Sequence, residues 1–145
     1  AWSMTPKGLP AEAAALGSIP QETLWRDGGY ALSRYADEAA IRALDPDFRA
    51  MRAFGDILFI ATAPGESTDI VSRVFAPGAG IDEDPVTGSA HCLLATYWAE
   101  RLGRARFTAY QASARGGHLE GELAGGRVYL GGTCVTVIEG SFTIA

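Results

Sequence analysis

The 145-residue sequence has few of the residues that define metal-binding, secreted or nucleic-acid-binding domains. It has two histidines and two cysteines, Cys92 and Cys134. Neither cysteine has the spacing of a zinc site or the density of a disulfide scaffold, so we predict that both are reduced packing residues. With 12 basic and 17 acidic side chains the net charge is −5, which opposes binding to nucleic acid or anionic lipid.

The sequence also lacks a long apolar run and, at its start, the charged and apolar layout of a signal peptide. We therefore expect a soluble, cytoplasmic protein with no membrane partner. Hydrophobic residues are abundant, at 48%, and a chain of this length can bury one core, which predicts a single domain over residues 1–145. Eighteen glycines and seven prolines predict many tight turns between short elements.

Periodicity, helix caps and turn residues divide the sequence into short elements. In residues 89–103 apolar side chains lie nearly all round a helix, which predicts a buried central helix. The apolar run Ile57–Ala63 predicts a buried strand. Other helices are predicted at 10–17, about 37–44 and about 46–54, and other strands at 29–35, 69–75, 106–112, 118–123, 127–130 and 133–139. The pattern predicts an α+β fold with a curved antiparallel or mixed sheet wrapped around one central apolar helix.

The stretch 82–91 is the part of the sequence that carries most chemistry. Three acids precede Thr87, Gly88 and Ser89 at the start of the apolar helix, where backbone amides lack partners and attract anions. Gly88 lets a ligand approach the backbone, and the two hydroxyls are potential donors to a carboxylate. The alternative is structural, with Asp84 and Pro85 as an ordinary N-cap and first helical residue, and spacing alone favours it.

Two other interpretations of this stretch are weaker. Asp82, Glu83, Asp84 and His91 are candidate metal ligands, but consecutive acids in an extended loop point to opposite sides and only one histidine is near, so no metal site is expected. Ser89 does not lie in a G-x-S-x-G motif, which disfavours a hydrolase with a serine nucleophile. His91 on an apolar helix is more often a hydrogen-bonded core residue than a base, although its place beside the acids leaves both roles open.

Two segments, Asp82–Cys92 and Tyr97–Gly103, closely resemble the signature of the PhzF-like (phenazine biosynthesis-like) isomerases. Further similarity lies at 111–117, 127–132 and 71–77. The resemblance implies a fold like that of diaminopimelate epimerase, with two similar domains, each a curved sheet around a central helix, and an active site in the cleft between them. The sequence resembles only the C-terminal domain, because the motifs of the N-terminal domain, which carries the family's glutamate acid/base and an assisting histidine, are absent from it.

The resemblance also implies roles for particular residues. Asp84 and Ser89 correspond to active-site residues of the family, and the segment Thr87, Gly88, Ser89 and Ala90 corresponds to the binding site for the substrate carboxylate. The family prototype isomerises a dihydro-hydroxyanthranilate by moving a proton between carbon atoms, without a cofactor.

Our hypothesis is therefore the C-terminal half of a two-domain isomerase, active only with its N-terminal domain because both walls of the cleft are needed. One alternative is a stand-alone binding module for small carboxylates without catalysis, and another is a hydrolase that uses Ser89. An open cleft wall would also allow self-association into a homo-oligomer.

Overall fold

The structure is a computed structural model that describes residues 5–6 and 10–144. Eight strands form one sheet in which they follow each other in chain order. The strands are β1 (Thr5–Pro6), β2 (Glu22–Arg26), β3 (Tyr30–Arg34), β4 (Leu58–Pro64), β5 (Ile70–Phe75), β6 (Arg106–Gln111), β7 (Gly117–Ala124) and β8 (Arg127–Gly131). The helices are α1 (Pro10–Ala15), α2 (Glu38–Arg42), α3 (Phe48–Arg52) and α4 (Gly88–Leu102), with a single 3-10 turn at Pro77–Ala79.

The sheet is mixed, because β3 pairs with β4 and β5 with β6 in parallel, whereas the other neighbours are antiparallel. Each parallel pair needs a crossover, and helices fill both: α2 and α3 between β3 and β4, and α4 between β5 and β6. In β4, Ile60 joins the core cluster of α4, whereas Phe59 and Ala61 join the cluster of α1, α2 and α3. Helices thus cover β4 on both faces, which explains the apolar run at 57–63.

Helix α4 supplies six of the 14 buried residues in its core cluster. The strand residues in the same cluster are Leu24, Leu32, Ile60, Ile70, Val74, Phe107, Ala109 and Leu119. Trp98 also anchors the helix by a polar contact, since its Nε1 donates to the Thr62 hydroxyl at 3.0 Å. Among residues 5–6 and 10–144, no helix has both the length and the apolar character needed to cross a bilayer.

The helices predicted at 10–17, 37–44, 46–54 and 89–103 are confirmed within a few residues at their ends, as are the strands predicted from 29 to 130. Strand β2 was not predicted. Its residues, Glu22–Arg26, have charged ends and one buried side chain, Leu24, so they lack the alternation that marks a half-buried strand.

The prediction of a strand at 133–139 is wrong. β8 ends at Gly131, and residues 132–144 form neither helix nor strand. β-branched residues favour the extended backbone, but a strand also needs a hydrogen-bonded neighbour, and no strand of the described chain pairs with these residues. The predicted packing role of Cys134 fails for the same reason, because its free thiol is exposed, whereas Cys92 is half-buried.

Candidate functional site

The start of α4 is an uncapped helix end. Thr87 occupies the N-cap position, but its side chain makes no capping hydrogen bond. The first helical hydrogen bond runs from the His91 amide to the Thr87 carbonyl at 3.2 Å, so the amides of Gly88, Ser89 and Ala90 precede it. No side chain of the described residues accepts from these three amides. The positive end of the helix dipole therefore keeps three free donors, and Gly88 and Ser89 are exposed.

The structural alternative for Asp84, that it caps this helix, is wrong. The helix begins at Gly88, and the Asp84 carboxyl accepts a hydrogen bond from the Thr87 hydroxyl rather than from a helix amide. The Asp84 backbone is fixed to the sheet, because its amide donates to the Val74 carbonyl in β5 at 2.9 Å. Thr87 thus turns its hydroxyl back to Asp84, which leaves the helix end open and holds a carboxyl group immediately before it.

Gln111, at the end of β6, is the buried residue that organises this loop. Its side-chain oxygen accepts from the Thr87 amide at 2.8 Å. Its side-chain nitrogen donates to the Asp84 carbonyl at 2.5 Å and to the Thr87 hydroxyl at 3.2 Å. The spacing of residues did not predict a role for Gln111. The sequence signal that could have suggested one is an amide side chain at the end of a predicted strand.

The three consecutive acids have different partners. Asp82 forms an exposed salt bridge with Arg52 at 2.5 Å. Glu83 makes two hydrogen bonds with Arg73, at 2.7 and 3.0 Å, and this pair is largely buried. Arg73 also donates to backbone carbonyls at the end of α2. The first two acids therefore hold the loop against α2 and α3, and Asp84 alone is directed to the start of α4.

His91 lies behind the helix start and is fully buried. Its Nδ1 lies 2.7 Å from the Thr87 carbonyl and its Nε2 lies 3.4 Å from the Ser72 hydroxyl. A carbonyl can only accept, so Nδ1 carries the proton and Nε2 accepts from Ser72. Burial lowers the pKa of His91, although the hydrogen bond to Thr87 acts in the opposite direction, so the ring is neutral near pH 7.

The position of His91 also bears on the hydrolase interpretation. Both ring nitrogens are engaged by Thr87 and Ser72, and no hydrogen bond among the described residues joins the ring to Ser89. A serine nucleophile needs an adjacent base within hydrogen-bond reach. No hydrogen bond in the described part of the chain joins Ser89 to a base, and His91 acts as a core residue that fixes the Thr87 carbonyl.

A cavity of about 480 Å³ opens beside the helix start. Gly88 is the predicted site residue that lines it, together with Val86, residues 116–119 and residues 130–133. A side chain at Gly117 would bring its Cβ within 2.3 Å of Val86, so glycine is required for the close contact there. Of the three residues with free amides, Gly88 is thus the one that borders the cavity.

The described part of the chain contains no group of three or more His, Cys, Asp or Glu side chains that could hold a metal ion. Since Asp82 and Glu83 are paired with arginines and His91 is enclosed in the core, the residues once considered as ligands do not converge. The arrangement is instead an uncapped helix end with one carboxyl group beside it, and uncapped helix starts are a common type of anion site in proteins.

Comparison with known proteins places the chain in a family. Residues 30–140 match the model of the PhzC-PhzF family, described as phenazine biosynthesis-like protein. The chain belongs to this family. Two relatives from Pseudomonas aeruginosa, both described as uncharacterized isomerases, are 50% identical over 108 residues, covering 74% of this chain and 41% of the relative, and 42% identical over 137 residues, covering 94% and 51%.

Solved structures of the family have the same fold. A PhzF-family protein from Enterococcus faecalis is 43% identical, with a TM-score of 0.81 over 88% of this chain and 48% of that chain. A phenazine biosynthesis PhzC/PhzF protein from Clostridium difficile, described as putative, is 32% identical, with a TM-score of 0.82 over 97% of this chain and 57% of that chain. The chain spans about half the length of these relatives, and its fold is that of the part it covers.

Proposed function

We propose that this chain is the C-terminal half of an isomerase that acts on a small carboxylate by proton transfer at carbon, without a cofactor. The observation that carries the proposal is the uncapped start of α4 with the Asp84 carboxyl held beside it. The family match and the relatives described as isomerases support the same reaction class. In this proposal the domain has the diaminopimelate epimerase-like form, with its sheet curved around α4.

The substrate carboxylate binds at the helix end. The amides of Gly88, Ser89 and Ala90 donate to its oxygens, and the Ser89 hydroxyl adds a further donor. The remainder of the substrate occupies the cavity beside Gly88, whose volume suits a small molecule. Gln111 and His91 keep these amides in place by fixing the amide and the carbonyl of Thr87.

Asp84 holds or relays the proton. One of its carboxyl oxygens accepts from Thr87, and the other has no hydrogen bond to a described residue, which leaves it for the substrate. In the reaction a C–H bond breaks, its electron pair is delocalised in the substrate, and a new C–H bond forms at another carbon. This needs a second acid or base on the opposite face, which we assign to an N-terminal domain of the kind carried by the longer relatives.

The test joins this chain behind the N-terminal half of the 42%-identical Pseudomonas relative and follows the exchange of carbon-bound hydrogen with heavy water. Small carboxylates, beginning with a dihydro-hydroxyanthranilate, serve as substrates. We expect Asp84→Asn to slow exchange by about 100-fold or more, because it removes the proton-transferring group. The matched control is Asp82→Asn, which removes a carboxylate two residues away that pairs with Arg52, and it should retain exchange within about twofold.

Equal exchange in the Asp84→Asn protein and its parent would refute the assignment. Binding of carboxylates without any exchange in a folded two-domain protein would instead indicate the binding module without catalysis. Covalent labelling of Ser89 by a serine-directed phosphonate would support the hydrolase, which the structure does not favour.

A further inference from the structure

The turn between β6 and β7, residues 112–116, lies against the loop that precedes α4. Within the turn, the Ser113 hydroxyl donates to the Pro85 carbonyl at 2.8 Å. The residues at the two ends of the turn contact the same loop, Gln111 by its hydrogen bonds and Gly117 by its close packing. The position of the turn relative to the start of α4 is therefore fixed.

Arg115 lies in this turn but does not hold it together. The turn is closed by Ser113, whose hydroxyl oxygen accepts from the Gly116 amide at 3.1 Å. Gly116 has a φ of +71°, in the left-handed region that favours glycine. The Arg115 side chain is exposed and makes no hydrogen bond, ion pair or ring contact with the described part of the chain. Its guanidinium group is therefore available to a ligand.

Arg115 also lies beside the cavity of the candidate site. The next residue, Gly116, lines this cavity together with Gly88. Consecutive Cα atoms are about 3.8 Å apart, and an extended arginine side chain is longer than this step, so the guanidinium group can reach the mouth of the cavity. The described residues that line the cavity include no lysine or arginine. The two arginines bound to the loop before α4, Arg52 and Arg73, are already paired with its acids.

The chemistry of the guanidinium group indicates what it would bind. Its parallel N–H donors match the two oxygens of a carboxylate. A phosphate group would bring up to two negative charges to this single cation, in a chain whose net charge is already −5. A carboxylate brings one charge and is therefore the better match.

We propose that Arg115 binds a second carboxylate of the substrate, which is then a small dicarboxylate. One carboxylate lies at the start of α4 and the other at the turn between β6 and β7, with the body of the molecule in the cavity between them. The proposal rests on the proposed function, because it extends the carboxylate site assigned there. It makes Arg115 a residue that determines specificity rather than a catalytic residue.

The experiment titrates the ¹⁵N-labelled chain with benzoate and with phthalate, isophthalate and terephthalate, which carry a second carboxylate at three positions of the same ring. We expect at least one of the three to bind about 10-fold or more tightly than benzoate, with shifts at the amides of both Gly88 and Gly116. Arg115→Gln should reduce the affinity for that dicarboxylate to within about twofold of the affinity for benzoate. Arg115→Lys keeps the charge but not the paired donors, so we expect an intermediate affinity.

The matched control is Arg127→Gln, which removes the same charge from another exposed arginine. Arg127 also has no partner in the described part of the chain, and it begins β8, whereas the cavity is lined by Gly131 at the other end of that strand. The two positions are about 13 Å apart along the strand. We therefore expect Arg127→Gln to leave the affinity for the dicarboxylate unchanged within about twofold.

Several results would overturn the proposal. One is that none of the three dicarboxylates binds more tightly than benzoate, and another is that Arg115→Gln and Arg127→Gln lose affinity equally. Dicarboxylate shifts centred away from Gly88 and Gly116 would also contradict it. Unfolding of the Arg115→Gln chain would do the same, because it would show that this side chain supports the fold.

The titration needs no turnover, so its outcome is separate from that of the exchange experiment. Loss of the preference for dicarboxylates would refute the second carboxylate site and leave the proposed reaction intact. An Arg115-dependent preference together with no hydrogen exchange in a folded two-domain protein would refute the proposed reaction and leave the second carboxylate site in place.

Discussion

The helix junction, residues 82–91, and residues 133–144, which we call the 133–144 segment, differ in the polarity of their side chains and in how far those side chains are buried. In the junction, the polar side chains of Glu83, Asp84, Thr87 and His91 lie buried or half-buried. Every buried side-chain nitrogen or oxygen of the described chain has a hydrogen-bond partner. In the segment, large apolar groups are exposed. A polar group is stable in the interior only when it has a hydrogen-bond partner. A row of exposed apolar side chains, in contrast, is typical of a surface that binds another part of a protein. The buried polar side chains of the junction therefore have their partners within the described chain, whereas the apolar side chains of the segment have none there.

Several of the junction's partners come from residues far from it in sequence. Gln111 reaches it from β6, Arg73 and Ser72 reach it from β5, and Arg52 reaches it from α3. These contacts fix Asp84 and Thr87 before any ligand arrives. Fixed donors stabilise a developing negative charge without having to reorganise, so a rigid junction suits the proposed reaction.

Replacement of Gln111 by leucine tests this rigidity and has the largest effect that we expect on stability. The change leaves the buried Thr87 amide and the Asp84 carbonyl without their partner, and we expect the free energy of unfolding to fall by about 3 kcal/mol. Urea denaturation measures it. The matched control is Ile138→Lys in the chain alone, which alters the segment and should change the free energy of unfolding by less than about 0.5 kcal/mol.

If the free energy of unfolding fell by similar amounts in the two variants, the contrast between the junction and the segment would be wrong. A small loss in Gln111→Leu would show that the junction does not depend on this side chain. A large loss in Ile138→Lys would show that the segment packs against its own domain.

The pH dependence of stability tests the neutral, buried His91. Its pKa is lowered in the folded protein, so the unfolded chain binds more protons below the ordinary value of 6.5. Stability therefore falls as the pH is lowered through 6.5, by up to about 1.4 kcal/mol per pH unit, until the folded pKa is reached. Thermal unfolding between pH 7 and pH 5 measures this loss. Lowered carboxyl pKa values, such as those of Glu22 and Asp69, contribute only near and below their ordinary values of 4.5 and 3.8.

The control is His91→Asn, which can still donate to the Thr87 carbonyl but does not titrate. We expect its stability to vary less between pH 7 and pH 5 than that of the parent. An identical pH profile in both proteins would show that His91 is not held neutral by burial.

The sequence allowed accurate prediction of the elements whose pattern is local. The continuous apolar run at 57–63 predicted a strand, and the apolar pattern that ends at Gly103 predicted a helix. Both elements were predicted within a few residues of their observed ends. The strand at 133–139 was predicted wrongly, because local propensity does not show whether a neighbouring strand exists.

For the region of the candidate site, the sequence predicted the start of the helix but not the contacts around it. The sequence identified the helix start near Gly88, since a glycine between hydroxyl residues before an apolar helix is a local pattern. It did not show that the Thr87 hydroxyl donates a hydrogen bond to the Asp84 carboxyl, nor that Glu83 pairs with Arg73 and is therefore directed away from the site. Those contacts depend on the chain pairing that brings β5, β6 and α2 together, which no local pattern specifies.

The most direct test of the central claim is an NMR titration of the ¹⁵N-labelled chain with benzoate, a small carboxylate. The account predicts saturable shifts that are largest at the amides of Gly88, Ser89 and Ala90, with little change at Gly103 at the other end of α4. Benzamide, which has the same shape without the charge, should produce much smaller shifts. Equal shifts with benzoate and benzamide, or benzoate shifts centred elsewhere in the domain, would contradict a carboxylate site at the start of α4.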